Sequence, residues 1–165
     1  MKITAERLRE LVEYNPLTGQ FMTLTSTHNG RWGPGRAIGT DNGIGYLVAT
    51  LDSRKQYLHR MAYLYVTGEH PPAEIDHINR NRSDNRWANL RPATSGQNKY
   101  NLPKMRSNTS GHAGVSYSVR DKYFHAYIGV GGTRKNIGYF KTLEEAVAAR
   151  LSAVETHHGE YGAVH

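Results

Sequence analysis

The stretch from Asp76 to Asn98 constrains this chain more than any other part of it. Asp76-His77-Ile78-Asn79 comes first, Asn89 follows within Arg86-Trp87-Ala88-Asn89-Leu90-Arg91, and Asn98 closes the series in Thr94-Ser95-Gly96-Gln97-Asn98. An acid beside a histidine, with another oxygen ligand a fixed distance on, is what metal-assisted attack on a phosphodiester requires. The carboxylate would hold a hard cation, the imidazole would take a proton from water, and an amide oxygen would complete the protein side of the metal site. The local pattern predicts strand, loop, strand, helix. Asp76-His77 falls on the first strand, Arg80 to Arg86 on a polar loop, Ala88 to Arg91 on a short strand, and Asn98 on a helix over Thr94 to Asn101.

A chain of 165 residues can be one ordinary domain or two small ones. Its formal charge of +7 favours a polyanionic partner, which is a statement about binding and not about fold. With no cysteine, disulfides, thiolate zinc sites and a cysteine nucleophile are excluded, and a reducing cytoplasm is expected. No segment has the length of a membrane span, and Met1 to Arg7 is charged where a signal peptide needs an apolar run. The expectation is a cytoplasmic protein without a membrane partner.

Upstream, Thr4 to Tyr14 reads as an amphipathic helix with Thr4 as N-cap, ended by the turn cluster Asn15 to Gly19. Gln20 to Thr25 and Tyr46 to Leu51 read as strands, and His28 to Gly45 as a glycine-rich loop. Asp52 to Lys55 would turn the chain so that Gln56 to His59 returns as a hairpin partner. Arg60 to Thr67 reads as a buried helix closed by Gly68. Downstream, Leu102 to Gly111 has the composition of a basic linker. Gly114 to Arg120, Tyr123 to Val130 and Arg134 to Phe140 read as three strands with turns at Asp121-Lys122 and Gly131-Gly132. Thr142-Leu143-Glu144-Glu145 is a capping box that opens a helix to about His157, with Leu143, Val147, Leu151 and Val154 on one stripe.

The ordered series His59-Arg60, Gly68, Pro71-Pro72, Ile75-Asp76-His77-Ile78-Asn79, Asp84-Asn85-Arg86, Asn89-Leu90-Arg91, Ala93-Thr94 and Gln97-Asn98 resembles the HNH endonucleases, most closely their phage and intron-encoded homing group. The resemblance covers residues 1–101, most specifically 57–101. It implies an α+β protein with a ββα-metal nuclease unit that hydrolyses DNA phosphodiesters, leaving 5′-phosphate and 3′-hydroxyl ends. By that resemblance His77 is the general base, Asp76 and Asn98 ligate one divalent metal, and Asn89 holds the loop that orients His77. The family's last position is a histidine, and here it is Asn98. A histidine there would suit zinc or nickel, whereas a carboxylate with an amide oxygen suits Mg²⁺ or Mn²⁺. With an ordinary histidine pKa, activity would fall below about pH 6.5. His59 reads as a packed histidine or a phosphate contact, and Asn85 as a turn residue. Arg80, Arg82 and Arg86 are candidate phosphate contacts, with a solvated charged loop as the even alternative.

Ser110 to Ser116, Phe124 to Ile128, Asn136 to Thr142 and Glu144-Glu145-Ala146 resemble the AP2 DNA-binding domain, which lays a three-stranded antiparallel sheet in the major groove and backs it with one helix. Strand alternation sends Val115, Tyr117, Val119, Phe124, Ala126 and Ile128 toward the helix. The opposite face offers Ser116, Ser118, Arg120, His125, Tyr127, Arg134 and Asn136 to double-stranded DNA, with Lys122 and Lys135 as phosphate contacts. This face has fewer arginines than the plant members carry, so modest sequence preference is expected. It also lacks the paired aromatics of an RNA-stacking platform, which argues against an RNA target. The expected division is a nuclease unit over 1–101, a linker over 102–111 and a DNA reader over 112–160, as in a phage-encoded homing endonuclease acting in a bacterial host. Two alternatives are a non-cleaving DNA-binding regulator and a nonspecific phage DNA-processing nuclease. Monomer and homodimer both remain open.

Overall fold

The computed structural model describes residues 2–26, 33–101, 108 and 110–162. Among these, helices and strands mix along the chain, which divides into two compact units, Met1–Ala93 and Thr94–His165. The division falls before the Asn98 helix, eight residues ahead of the expected boundary at 101, and the expected linker at 102–111 lies largely outside the described residues. No helix among the described residues is long and apolar enough to cross a membrane.

In the first unit, α1 spans Ala5–Leu11, and the Thr4 side chain accepts a hydrogen bond from the Arg7 amide. The helix stops short of the expected Tyr14. Val12 and Tyr14 are both buried while Glu13 is exposed, a period of two that only a strand satisfies. Thus β1 (Val12–Asn15) pairs antiparallel with β2 (Gln20–Thr23) across the Asn15–Gly19 turn. Gly19, at φ +75°, presses against the backbone of residues 85 and 86, where a Cβ would lie 2.6 Å from the Asn85 carbonyl carbon. Only glycine fits both the conformation and the space.

Two short strands break the expected glycine-rich loop, β3 (Ala37–Ile38) beside β2 and β4 (Thr40–Asp41) beside β5 (Leu47–Leu51). The hairpin from β5 to β6 (Arg54–Tyr57) turns on only Asp52 and Ser53, both at positive φ, where a four-residue turn was expected. That shorter turn lets α2 (Leu58–Thr67) start two residues early and places His59 inside a helix instead of a strand. Gly68 ends α2 in the left-handed conformation. Strand β7 (Glu74–His77) then pairs antiparallel with β8 (Leu90–Ala93), putting Asp76 opposite Arg91 and His77 opposite Leu90. Leu8, Val12, Phe21, Leu58, Met61 and Ala62 anchor the core of this unit, and each is at most 2% exposed.

In the second unit, α3 (Ser95–Tyr100) opens on a Thr94–Gln97 capping box. The sheet order is β11-β10-β9, formed by β9 (Val115–Ser118), β10 (Tyr123–Val130) and β11 (Thr133–Phe140). One face is covered by α4 (Leu143–His158), which starts on the expected Thr142–Glu145 capping box. Val115, Ala126 and Ala146 form the centre of that core. Val119, expected to face the helix, is 79% exposed because β9 ends at Ser118. Ala146 takes the central place on the α4 stripe, and Leu151 is 38% exposed. The ring of Tyr100 stacks on that of His158 at 3.7 Å, which ties α3 to the end of α4.

Candidate active site and nucleic-acid face

His77 sits at the end of β7, 4% exposed, with Asp76 equally buried beside it. The two side chains have separate surroundings. Oδ2 of Asp76 accepts from both Nε and Nη2 of Arg91, at 2.9 and 2.7 Å, across the β7–β8 hairpin. The sequence reading did not single out Arg91 as this partner, because the pairing appears only once the hairpin register is known.

Around His77 an aromatic wall forms from distant elements. The ring of His59, on α2, meets it edge-on at 5.1 Å. Tyr46, from just before β5, stands 5.9 Å from His77 and 5.2 Å from His59. Burial lowers the pKa of His77, and burial pushes that of His59 down to about 3, so both imidazoles are neutral at pH 7. The expected acid limb at the ordinary histidine value therefore moves to lower pH. Nδ1 of His59 is buried without a hydrogen-bond partner among the described residues.

Asn85 differs from its expected role as a plain turn residue. It is 2% exposed, and its Oδ1 faces Nε2 of His77 at 3.5 Å, the outer limit of a hydrogen bond. Nδ2 of Asn85 donates to the Ser83 carbonyl at 3.1 Å, which turns the oxygen toward the histidine. The Tyr14 hydroxyl donates to the Asn85 carbonyl at 2.7 Å, fixing that backbone from β1. The Tyr14 contact spans 71 residues of sequence, and no local pattern announces it.

Asn89 bridges the two ends of the loop between β7 and β8. Its Oδ1 accepts from the Asn79 amide at 2.9 Å, its Nδ2 donates to the Asp84 carbonyl at 2.8 Å, and its own carbonyl accepts from the Ile78 amide. One amide side chain thus satisfies a donor and an acceptor that would otherwise be unpaired in a partly buried loop.

The three loop arginines are used differently. Arg86 forms a two-pronged pair with Asp84, at 2.8 and 2.6 Å, and this pair holds the Asp84 carboxyl down at about 2. Two of its donors are therefore engaged before any phosphate arrives. The Arg82 guanidinium lies 4.8 Å over the Tyr46 ring and donates to the Ile44 carbonyl, reaching back over the aromatic wall. Arg80 is exposed, at positive φ.

Asn98 belongs to the second unit. It is half-buried on α3, and its amide donates to the Thr94 carbonyl. Among the described residues no three His, Cys, Asp or Glu side chains converge as a metal site.

On the β9–β11 sheet, cross-strand register puts Ser116 and Ser118 of β9, His125 and Tyr127 of β10 and Asn136 and Arg134 of β11 on the face away from α4. Nε2 of His125 lies 3.0 Å from Oδ1 of Asn136, and Arg134 stacks at 3.4 Å on the Tyr127 ring. Arg120 is paired to Asp121 in the turn that also holds Lys122, beyond the end of β9. Lys135, expected as a phosphate contact, sits opposite buried Ile128, so strand parity puts it on the other side of the sheet from Arg134 and Asn136. The register shift at Ala126/Tyr127 inserts Ile137, which packs into the core.

Two residues missing from the expected face complete it. Tyr139 stacks on His125 at 4.8 Å and meets Tyr123 edge-on at 4.8 Å. The face therefore carries an aromatic row from Tyr123 through Tyr139 and His125 to Tyr127, and the expected lack of paired aromatics is wrong. The period-two pattern of β10 would have placed Tyr123 here, but Tyr139 needed the register.

The buried Asp76–His77 pair and the asparagine that clasps the loop thus belong to one hairpin. Residues 56–100 match the family model described as HNH endonuclease. A protein of Acanthamoeba polyphaga mimivirus described as uncharacterized HNH endonuclease L560 is 31% identical over 121 residues, covering 72% of this chain and 62% of that protein. The chain thus spans about three-fifths of the length of that relative. No solved structure matches. Both matches are similarities to HNH endonucleases, and the family model places its similarity over the hairpin that carries Asp76 and His77.

Proposed function

We propose that this protein is a metal-dependent DNA endonuclease in which His77 acts as the general base. The observation that carries the reading is the buried, neutral His77 beside Asp76 within the segment that matches the HNH family. A neutral imidazole can take the proton from an attacking water, and the aromatic wall of Tyr46 and His59 limits the directions from which water and substrate approach. Asn89 and Asn85 are positioning residues, one fixing the loop and the other facing the imidazole. Asp76 offers a carboxylate oxygen and Asn98 an amide oxygen, each a donor type that suits a hard divalent cation such as Mg²⁺ or Mn²⁺. When bound, such an ion supplies charge stabilisation at the phosphate and the leaving 3′-oxygen. Arg91 donates to Oδ2 of Asp76 and fixes that carboxylate in position.

The open face of the β9–β11 sheet acts in this reading as an AP2-like DNA reader. The cation of Arg134, the amide of Asn136 and the aromatic row support it. Together the units suit a homing-type enzyme of viral or phage origin, and the viral relative favours that origin. The test is supercoiled plasmid incubated with Mg²⁺, with EDTA, and with a His77→Ala variant. Conversion to open circle or linear DNA that needs both the metal and His77 supports the reading. Intact plasmid under every divalent metal, alongside tight DNA binding, replaces it with a non-cleaving regulator.

A further inference from the structure

The first unit contains a cleft of about 380 Å³ that the catalytic reading does not use. Lys2 reaches it from the N-terminal segment, Arg54 and Lys55 from β6, Arg60 from α2 and His70 from the segment after α2, over a floor that includes buried Met61. No acidic residue lines it among the described residues. Three other arginines of the unit are paired, Arg7 with Glu10 and Asp52, Arg86 with Asp84 and Arg91 with Asp76. Lys2, Arg54, Lys55 and Arg60 have no ion pair among the described residues, and Arg60 is held only by a hydrogen bond from Nη1 to the Ala73 carbonyl.

Four cations converging without a counter-charge repel one another, a cost that an anionic ligand removes. Lysine on an edge strand protects against sheet-to-sheet association, and β6 is an edge of its sheet. That need would be met by β6 alone and does not explain why Lys2, Arg60 and His70 gather from three other segments. Arg60 follows His59 directly on α2, so the cleft and buried His59 occupy adjoining faces of one helical turn. Tyr57, which follows the cleft strand residues, places its ring 5.5 Å from that of His59.

We propose that this cleft is a second phosphate-binding site of the nuclease unit, taking backbone phosphodiesters of the DNA that flanks the bond being cut. The proposal rests on the nuclease reading and extends it to residues outside the catalytic hairpin. Arg54 and Lys55 are exposed on an edge strand, so both can be truncated without disturbing the core.

The experiment measures duplex binding by fluorescence anisotropy in EDTA, across a salt series, for wild type, R54A, K55A, R54A/K55A and K141A. Lys141 is an exposed cation of the other unit and controls for net charge. Each cleft truncation should lower the slope of log affinity against log salt by about 0.9, the double variant by about 1.8, and K141A by nothing measurable. Equal slopes in all five proteins, with wild type both binding and cutting DNA, would overturn the cleft and leave the nuclease reading standing. Wild type that neither binds nor cuts duplex would overturn both. Titration with inorganic pyrophosphate separates a free phosphate ligand. Loss of pyrophosphate binding in R54A/K55A with an unchanged DNA slope would reassign the cleft away from the DNA backbone.

Discussion

The loop between β7 and β8 and the open face of the β9–β11 sheet are both polar, and they are specified in opposite ways. Along that loop and its flanking strands, Asp76, His77, Asn85 and Asn89 are all at most 7% exposed, and hydrogen bonds to backbone and to neighbouring side chains set their positions. On the sheet, Ser116, His125, Tyr127 and Asn136 are exposed or half-buried, and alternation along regular strands sets which way they face. A buried polar group left without a partner costs far more than an exposed one, because no water replaces what is lost. The loop therefore tolerates little change in sequence, whereas the sheet face can vary its reading residues and keep its fold.

The largest effect should come from breaking the ion pair across the β7–β8 hairpin. Arg91→Ala leaves Asp76 buried without its guanidinium and is expected to cost about 3–5 kcal/mol, read as a lowered urea midpoint. A variant as stable as wild type would show that Asp76 is well solvated. Next is Asn89→Ala, which unpairs the Asn79 amide and the Asp84 carbonyl together. A loss of about 2–4 kcal/mol is expected, and cleavage should fall with it even where the protein is fully folded.

A pH series sharpens the contrast further. His59 stays neutral in the folded protein down to about pH 3, whereas in the unfolded chain it takes up a proton below its ordinary value of 6.5. The unfolded state binds more protons throughout that window, so stability is lost as pH falls, by about 2 kcal/mol at pH 5. Replacing His59 with phenylalanine should flatten this dependence, and equal urea midpoints at pH 7.5 and pH 5 in wild type would contradict it. The smallest effect on stability belongs to the sheet. Tyr139→Ala and Arg134→Ala should each change stability by less than about 0.5 kcal/mol, as exposed positions do. Both should still weaken duplex binding.

Local signals in the sequence located most elements. The N-cap at Thr4, the capping box at Thr142, the glycine turn at 131–132 and the strand over Tyr123–Val130 are each encoded within a few residues. The Asp76–His77 strand and the Asn98 helix were readable for the same reason. What escaped was long-range. Asn85 becomes a partner of His77 only because β1 and the Gly19 turn brace its backbone. Arg91 meets Asp76 only through hairpin register, and Tyr139 joins the face of His125 only because the strand pairing shifts at Ala126/Tyr127. The two-residue turn at Asp52-Ser53 moved His59 from a strand into a helix, and with it one side of the aromatic wall.

The central claim is that one region cuts while the other reads. The most direct test measures binding and cleavage of the same labelled duplex in parallel for His77→Ala and for Arg134→Ala/Tyr139→Ala. The account predicts that the histidine variant binds normally and does not cut, and that the sheet variant binds weakly but cuts at the wild-type rate once enzyme saturates the DNA. Cleavage that survives in His77→Ala, or disappears in the sheet variant at saturation, would contradict it.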